Sequence, residues 1–440
     1  MKRLVGAVLI AIGLGAVPAA AQDAWQQHTT AAEWAFRQGD YTRAEQEFRA
    51  ALEIAQGMPP ASRRLEQSLY DLARLYEHVD RMADAQAKYL LLLAVQEHDA
   101  GPEAPALLDT LLSVARTSQA IGDVPQAQAS LRRYLDLAET TGVADAGQRW
   151  RVLAALARTE SLQEHHDAAL ELQRSAVAAL DQDAGAGSVE RAVQLESLAQ
   201  MEILHGAADS AEELLARAVK LRAEAGEGNG AEVLAAAAVT ALGAAEPGLA
   251  ERLALRASDA AGGIEEAPLE AVRVLAEAAW LEVRRGSGSL AELLAVADDA
   301  ARLTEADARL TAYLGRLEEL PEDAPERVET LSRLARVAAM RGDLEAAVRW
   351  QRRLADALAA HGGEPALRAD DGLAFLLVEA GRPDEALTVN TRLLEGLGAQ
   401  WGEDDPRLAP VLERQAGLLA ELGHRKQAKA VSKRLRKLER

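Results

Sequence analysis

The sequence predicts an all-helical solenoid of about ten stacked helix hairpins, and three observations predict it. Apolar residues recur at the spacing of one helical face, a turn residue interrupts them at a nearly constant interval, and small residues flank each turn at two fixed offsets. The stretch from Leu111 to Leu135 shows all three. Leu111, Val114, Ala115 and Ser118 keep one face, Gly122 breaks the run, and Ala127, Leu131 and Tyr134 resume it. Such a pattern describes two antiparallel helices around one turn.

The hairpins have turn positions at Gly39, Asp80, Gly122, Glu164, Gly206, Ala245, Gly286, Gly342, Gly381 and Gly423, mostly 41 or 42 residues apart. Seven residues before each turn stands Ala32, Ala73, Ala115, Ala157, Ala199, Ala238, Ala279, Ala335, Ala374 or Ala416. Five after it stands Ala44, Ala85, Ala127, Ala169, Ala211, Ala250, Ala291, Ala347, Ala386 or Ala428. Alanine at both offsets lets paired helices approach near the low end of the usual interaxial range of roughly 8–10 Å. Seven of the ten turns are glycine, which ends a helix in the left-handed conformation without a Cβ penalty.

The small–turn–small pattern with leucines eight and eleven before the turn, as in Leu69, Leu72, Ala73 and Ala85, resembles the tetratricopeptide repeat over nearly the whole chain. The long period is similar to that of kinesin light chain repeats, and their inter-repeat signature resembles Gly402-Glu403-Asp404-Asp405-Pro406-Arg407-Leu408-Ala409, with Asp405 where a His is usual. The resemblance implies a right-handed superhelix of helix pairs whose inner face binds other polypeptides. It implies no particular ligand.

At the start, Lys2 and Arg3 precede an apolar run from Leu4 to Val17, and Ala19-Ala20-Ala21 follows. This is the pattern of a secretory signal cleaved after Ala21, so residues 1–21 are expected to be removed and the mature chain to be periplasmic or secreted. The run is short for a membrane span, which needs about 20 residues, and no integral membrane segment is expected after cleavage. There is no cysteine, hence no lipid-anchor site, disulfide framework or thiolate chemistry. The chain holds 49 basic and 69 acidic residues. Glu421–Arg440 alone holds eight basic and two acidic ones; with Lys2 and Arg3 removed in the signal, 39 basic and 67 acidic residues, a charge of −28, are left for the rest of the mature chain. That acidity argues against nucleic acid or an anionic membrane as the main partner.

Three parts follow the signal: a seven-hairpin array over 22–301 with its last two repeats degenerate, an extra helix or linker at 302–325, and a second array over 326–440. In the degenerate pair, Ala244-Ala245-Glu246-Pro247-Gly248 replaces one turn and Asp298 takes an apolar place in the other. The extra segment has its own apolar face at Leu303, Leu310, Leu314 and Leu317 before Pro321 and Pro325. It is expected to interrupt the stack and to mark the boundary between sub-arrays. Gly226–Gly230 reads as a flexible loop. The last helix turns Ala428, Val431, Leu435 and Leu438 inward, and its many cations suit either a polar cap at the helix C-terminal end or a docking patch for an acidic surface.

In the resembled family the residue after the small position of each first helix faces the concave groove. That series includes Arg74, Arg116 and Arg158, spaced by 42, and later Trp280, Arg336 and Phe375. Stacked helices about 8–10 Å apart would make a guanidinium ladder of roughly 16–20 Å, enough for about five or six extended residues. Arginine pairs a carboxylate through two hydrogen bonds, so the partner expected is a polypeptide with acidic groups. The competing reading is that Asp71, Glu77 or Asp109 satisfies each arginine. Trp280 and Phe375 suggest a more apolar groove toward the C-terminal end.

Nothing points to catalysis: no Walker loop, H-E-x-x-H, G-x-S-x-G or nucleophilic cysteine occurs. His165, His166 and His205 lie on turns that could approach one another, without a placed carboxylate to complete a zinc site. Asp181-Gln182-Asp183 lacks the other ligands of a calcium loop. No cofactor or metal is expected. Two functional readings remain, an exported scaffold that binds extended or helical polypeptide segments in its groove, and a structural subunit of an envelope assembly with the groove empty, which an apolar patch outside the groove would favour.

Overall fold

The structure, a computed structural model, describes residues 19–59, 63–143, 145–284 and 300–438. Its described residues form helices, turns and loops with no strand. The chain divides into two compact units, residues 1–225 and 226–440. The first holds helices α1 (Ala19–Arg37), α2 (Tyr41–Gln56), α3 (Arg64–His78), α4 (Met82–Ala100), α5 (Leu108–Ala120), α6 (Val124–Thr141), α7 (Ala146–Ser161), α8 (His166–Gln182), α9 (Ser188–Leu204) and α10 (Ala208–Glu224). The second holds α11 (Ala231–Gly243), α12 (Pro247–Ala261), α13 (Leu269–Arg284), α14 (Ala300–Arg316), α15 (Pro325–Met340), α16 (Leu344–Ala359), α17 (Gly363–Glu379), α18 (Pro383–Trp401), α19 (Ala409–Glu421) and α20 (Arg425–Leu438). Within each unit consecutive helices pack as hairpins, and the second helix of one hairpin packs on the first helix of the next. The fold of each unit is a stack of helix hairpins, an all-α solenoid.

Every described turn position is left-handed. Glycine supplies φ of 68–79° at Gly39, Gly122, Gly206, Gly342, Gly381 and Gly423, and Asp80, Glu164 and Ala245 take the same region with φ of 58°, 62° and 61°. The residue after each donates its N–H to the carbonyl five residues back. Asp40 reaches Ala35, Asp123 reaches Ser118 and Asp343 reaches Ala338, at 2.8–3.0 Å. This closure satisfies orphan carbonyls at the end of the first helix. The same three aspartates then cap the second helix, accepting from the backbone N–H of Arg43, Gln126 and Ala346. One residue thus ends one helix and starts the next.

The flanking alanines are buried as the pattern requires. Of those described, all but Ala416 are buried. Leu69 and Leu72 lie in the same core with Tyr76 and Tyr89. A larger side chain at an alanine offset should cost about 1–3 kcal/mol through overpacking.

The helix expected within 302–325 is α14, and its Leu303, Leu310 and Leu314 are buried, as is Leu317 just beyond it. It packs on both α13 and α15, and Arg309 on its buried face pairs with Glu251 at 2.6 Å and Glu305 at 2.5 Å. Pro325 does not stop it but opens α15 at a position where a missing N–H costs nothing. The division of the chain falls earlier, at Ala225 and Gly226, where the exposed Gly226–Asn229 loop begins. Residues 1–18 of the expected signal, Gly286, Ala291 and Asp298 lie outside the described residues. Among the described residues no helix is long and apolar enough to cross a membrane.

The turns carry a stability prediction. A left-handed non-glycine residue costs roughly 1–2 kcal/mol, part of which glycine returns through its freer unfolded chain. Ala245→Gly should therefore stabilise the second unit by about 0.5–1 kcal/mol, and Gly122→Ala should destabilise the first by about 1 kcal/mol. A Cβ at Gly122 would meet nothing within 4 Å, so that loss is conformational. Denaturant midpoints moving in the same direction for both variants would overturn this account.

Candidate binding faces of the first helices

Arg74, Arg116 and Arg158 stand on α3, α5 and α7, each one residue past the buried alanine, and all three are exposed. Their surroundings differ. Arg74 lies over the Tyr70 ring, 5.8 Å from its centroid. Arg116 spans two repeats to Glu77 of α3, with its guanidinium 2.7 and 3.0 Å from the two carboxylate oxygens. That group remains 67% exposed, and such a pair is worth about 0.2–1 kcal/mol. Arg158 has no side-chain partner among the described residues. Of the proposed internal partners, Glu77 takes Arg116 and also accepts from Tyr89 Oη. Asp71 accepts instead from Gln67, and burial pushes its carboxyl above the ordinary range.

In the second unit Arg336 is exposed on α15 and lines a cleft of about 690 Å³ between α15 and α17. Val328, Leu354, Leu358, Pro365 and Leu376 supply its apolar wall. Each carboxylate lining it is paired: Glu329 with Arg333 at 2.6 Å, Glu364 with Arg368 at 2.5 Å, and Asp371 with Arg414. Arg336 has no side-chain partner among the described residues. Glu364, Arg368 and Asp371 also line a smaller cleft of about 270 Å³ that reaches Trp401 on α18 and Val411 on α19. The two clefts make one surface across successive first helices.

Two of the expected aromatics sit elsewhere. Trp280 is 6% exposed, in the core of the second unit with Arg333 over its ring at 5.7 Å, so it does not line a groove. Phe375 is half-buried and outside the cleft wall. The register that exposes the arginines therefore does not hold for large apolar side chains, which turn into the core. The apolar wall comes from leucines and prolines at other positions, and Trp401, under Arg407 at 4.2 Å, is its aromatic member. Asp405 of the kinesin-light-chain-like signature caps the short turn Pro406–Leu408 and holds Arg407 at 2.9 and 3.0 Å. The Arg407 guanidinium in turn holds the Asp405 carboxyl below its usual range. A second Pro-x-Leu turn at Pro105–Leu107 follows Gly101 in the same way and also buries its leucine.

Between repeats runs a polar seam that periodicity of apolar residues does not reveal. The amides of Gln173, Gln351 and Asn390, all buried, donate to the carbonyls of Gln194, Ala369 and Val411 at 3.2, 2.9 and 3.0 Å. In each case the donor is nine residues after one turn and the acceptor twelve before the next. Gly372 lets this approach happen, since a Cβ there would stand 2.8 Å from Gln351 Nε2. Four residues before the turn, Glu160 and Glu202 are buried carboxylates reached from the preceding second helix by Arg132 at 2.6 Å and Arg174 at 3.0 Å. Burial alone would raise the Glu160 carboxyl, but hydrogen bonds from Gln128, His165 and Arg132 outweigh it and hold the group below the ordinary range. Glu202 lacks two such donors, because Leu170 and Ala207 occupy the places of Gln128 and His165, and its Oε2 has no partner.

The histidines do approach one another. His166 and His205 have ring centroids 6.4 Å apart, and His205 Nε2 lies 3.3 Å from Asp167. Among the described residues no group of three His, Asp or Glu side chains is placed to hold a metal ion.

No protein-family model matches the chain, and no curated protein does. Solved structures do. The C-terminal part of a TPR repeat-containing protein from Cytophaga hutchinsonii is similar at 12% identity over 69% of this chain and 99% of that one, with a TM-score of 0.46. A tetratricopeptide repeat protein from Parabacteroides merdae is similar at 10% identity over 72% and 99%, TM-score 0.40. Nearly identical kinesin light chain TPR-like repeats from Podosopora anserina are similar at 21% identity over 46% and 95%, TM-score 0.38.

Two variants test the seam. Because Glu160 titrates below its unfolded value, its contribution is present above the ordinary carboxylate range and is lost as pH falls through the folded pKa. Glu160→Gln should thus lower the melting temperature most near neutral pH, with the gap to the parent closing below about pH 4; a gap that widens in acid would contradict the assignment. Ala207→His should give Glu202 Oε2 the donor that Glu160 has and raise stability by about 1 kcal/mol, a gain that Glu202→Gln in the same chain should erase.

Proposed function

We propose that the mature chain is an exported scaffold that binds extended polypeptide segments bearing acidic groups along its first helices. One observation carries this reading: in a chain with 69 acidic residues against 49 basic, Arg158 and Arg336 keep exposed guanidiniums with no side-chain partner among the described residues. Arginines that served only internal pairing would find carboxylates in such a surplus. Their planar forks are suited to pair carboxylates of an incoming chain, and the apolar wall beside Arg336 adds burial for neighbouring side chains. Export rests on the charged start, apolar run and alanine-rich cleavage site of residues 1–21.

The second reading, a structural subunit of an envelope assembly, has its own observation. Leu162 and Leu204 occupy the same place before their turns, 42 residues apart, and are 73% and 60% exposed, with Ile121 exposed on the preceding repeat. They lie at the turn edge, Leu162 one helical turn beyond Arg158.

An array of extended peptides with Asp or Glu at varied spacing separates the two. Arg74→Ala, Arg116→Ala and Arg158→Ala combined should abolish binding of the acidic members to the first unit and remove its salt dependence, with a stability loss under about 1 kcal/mol. Arg336→Ala should do the same for the second. Binding unchanged in both variants, with assembly lost on Leu162→Asp and Leu204→Asp, would favour the structural subunit. Mass analysis of the protein expressed with its full start should find an exported chain beginning at Gln22; retention of residues 1–21 in a cytosolic product would refute export.

A further inference from the structure

Helix α20 presents to solvent positions that several earlier second helices use to contact the following hairpin. Counting from each turn, positions +6, +10 and +13 of several inner second helices contact the following hairpin. Gln86 and Gln128 at +6 reach Ser118 and Glu160. Arg132, Arg174 and Arg352 at +10 reach Glu160, Glu202 and Glu385 at 2.6, 3.0 and 2.5 Å. Leu52, Leu93, Val177, Ala355 and Leu394 at +13 are buried. In α20 the same positions are Lys429, Lys433 and Arg436, preceded one turn earlier by Lys426, and all four are exposed. Spaced three, four and three residues apart, they form one stripe about 15 Å long.

Helix α20 sorts its cations. Arg434 and Lys437 turn back to Glu403 and Asp404. Lys426, Lys429 and Lys433 have no side-chain partner among the described residues, and Arg436 touches only the Ser432 carbonyl of its own helix. The apolar face of α20 is already used, since Val431, Leu435 and Leu438 pack against Leu408, Leu412 and their neighbours. It therefore has no free apolar face to lay into a lipid surface.

We propose that this stripe docks an acidic amphipathic helix from a partner protein, seated as the first helix of an eleventh repeat, with carboxylates about one turn apart against Lys429 and Lys433. The inner repeats show the geometry twice, a cation at +10 meeting a carboxylate of the following first helix, in Arg132 with Glu160 and Arg174 with Glu202. A second copy of this chain does not fit: α1 carries only Asp23, Glu33 and Arg37 as charges, and where Glu160 and Glu202 stand in their repeats it has the buried Ala35. Charge also selects the end. An acidic helix approaching a chain of charge −26 outside its last twenty residues is repelled elsewhere and attracted here, which fixes where and in which orientation it lands.

The probe is a synthetic helix of about 20 residues with glutamates at i, i+3, i+7 and i+10, followed by fluorescence anisotropy against the full chain at low and high salt. Binding is expected to saturate, weaken with salt, protect α20 from hydrogen exchange, and fall at least about tenfold in the variant Lys426→Glu, Lys429→Glu, Lys433→Glu, Arg436→Glu. Arg158→Ala and Arg336→Ala should leave it unchanged, which separates this surface from the groove. Should the fourfold variant lose its helical signal, Lys429→Gln with Lys433→Gln carries the comparison. Equal binding of a peptide of the same composition with its glutamates scattered around the helix would reduce the stripe to unspecific polyanion attraction and overturn the proposal. So would self-association abolished by the variant, or binding to phosphatidylglycerol vesicles in the absence of any binding to the helical peptide.

Discussion

Everything in this chain depends on closing each first helix with one residue in the left-handed conformation. That residue reverses the backbone within two positions, so the second helix starts where the first one ends and the two must lie side by side. The i to i−5 hydrogen bond that accompanies it is found at Asp80, Glu164 and Ala245 as well as at the glycines. Three non-glycine residues held at positive φ show that the surrounding packing dictates the turn and the residue follows. With the reversal fixed, alanines seven before and five after must face each other, and the short distance they permit leaves the larger side chains to point toward neighbouring repeats.

Close packing on alanine has a weakness, and the polar seam answers it. Alanine contacts are alike at every turn of a helix, so they resist a one-turn slip between hairpins only feebly. A buried amide is different. Gln351 reaches the Ala369 carbonyl and Asn390 the Val411 carbonyl, and slipping either hairpin by a turn would leave a buried donor without an acceptor, at a cost of about 1–3 kcal/mol. Asn390 also accepts from Arg414, whose other nitrogen holds Asp371, so one connected group joins the register of the stack to the cleft wall.

Fold and site were legible to different degrees, for physical reasons. The hairpins could be read because turn conformation and close approach leave sequence marks at fixed offsets, down to Ala250 in a repeat whose turn is degenerate. The helix at 300–316 could be read from its leucines, but its role could not, because a spacing of 56 residues shows an insertion without showing whether its face is buried. Arg74, Arg116, Arg158 and Arg336 came out exposed because a long charged side chain stays in water wherever the backbone allows. Trp280 did not follow, since a large apolar ring at the same register rotates into the core. Glu160, Glu202 and the three amides went unread although they carried a signal, polar residues at offsets that are apolar or small in other repeats. An apolar search treats such positions as noise.

The contrast between Arg116 and Arg158 bears on how a groove and a stack share residues. Both occupy the same offset on adjacent first helices, yet one is tied to Glu77 and the other is not. The tie forms because Glu77 stands three residues after Arg74 on the neighbouring helix, and Ser118 and Glu160 divide the polar contacts of the seam beneath. At 67% exposure the Arg116 guanidinium is screened by water, and Glu77, itself 18% exposed, keeps the hydrogen bond from Tyr89 Oη, so the arginine can turn to an incoming carboxylate without leaving Glu77 bare. A buried pair such as Arg132 with Glu160 exchanges less readily, because Glu160 is 1% exposed and would lose its arginine counter-charge in a dry site. Recognition and assembly therefore separate by depth: the same pairing of arginine with a carboxylate holds repeats together where the acid is buried, and stays open to a partner where the cation is in water.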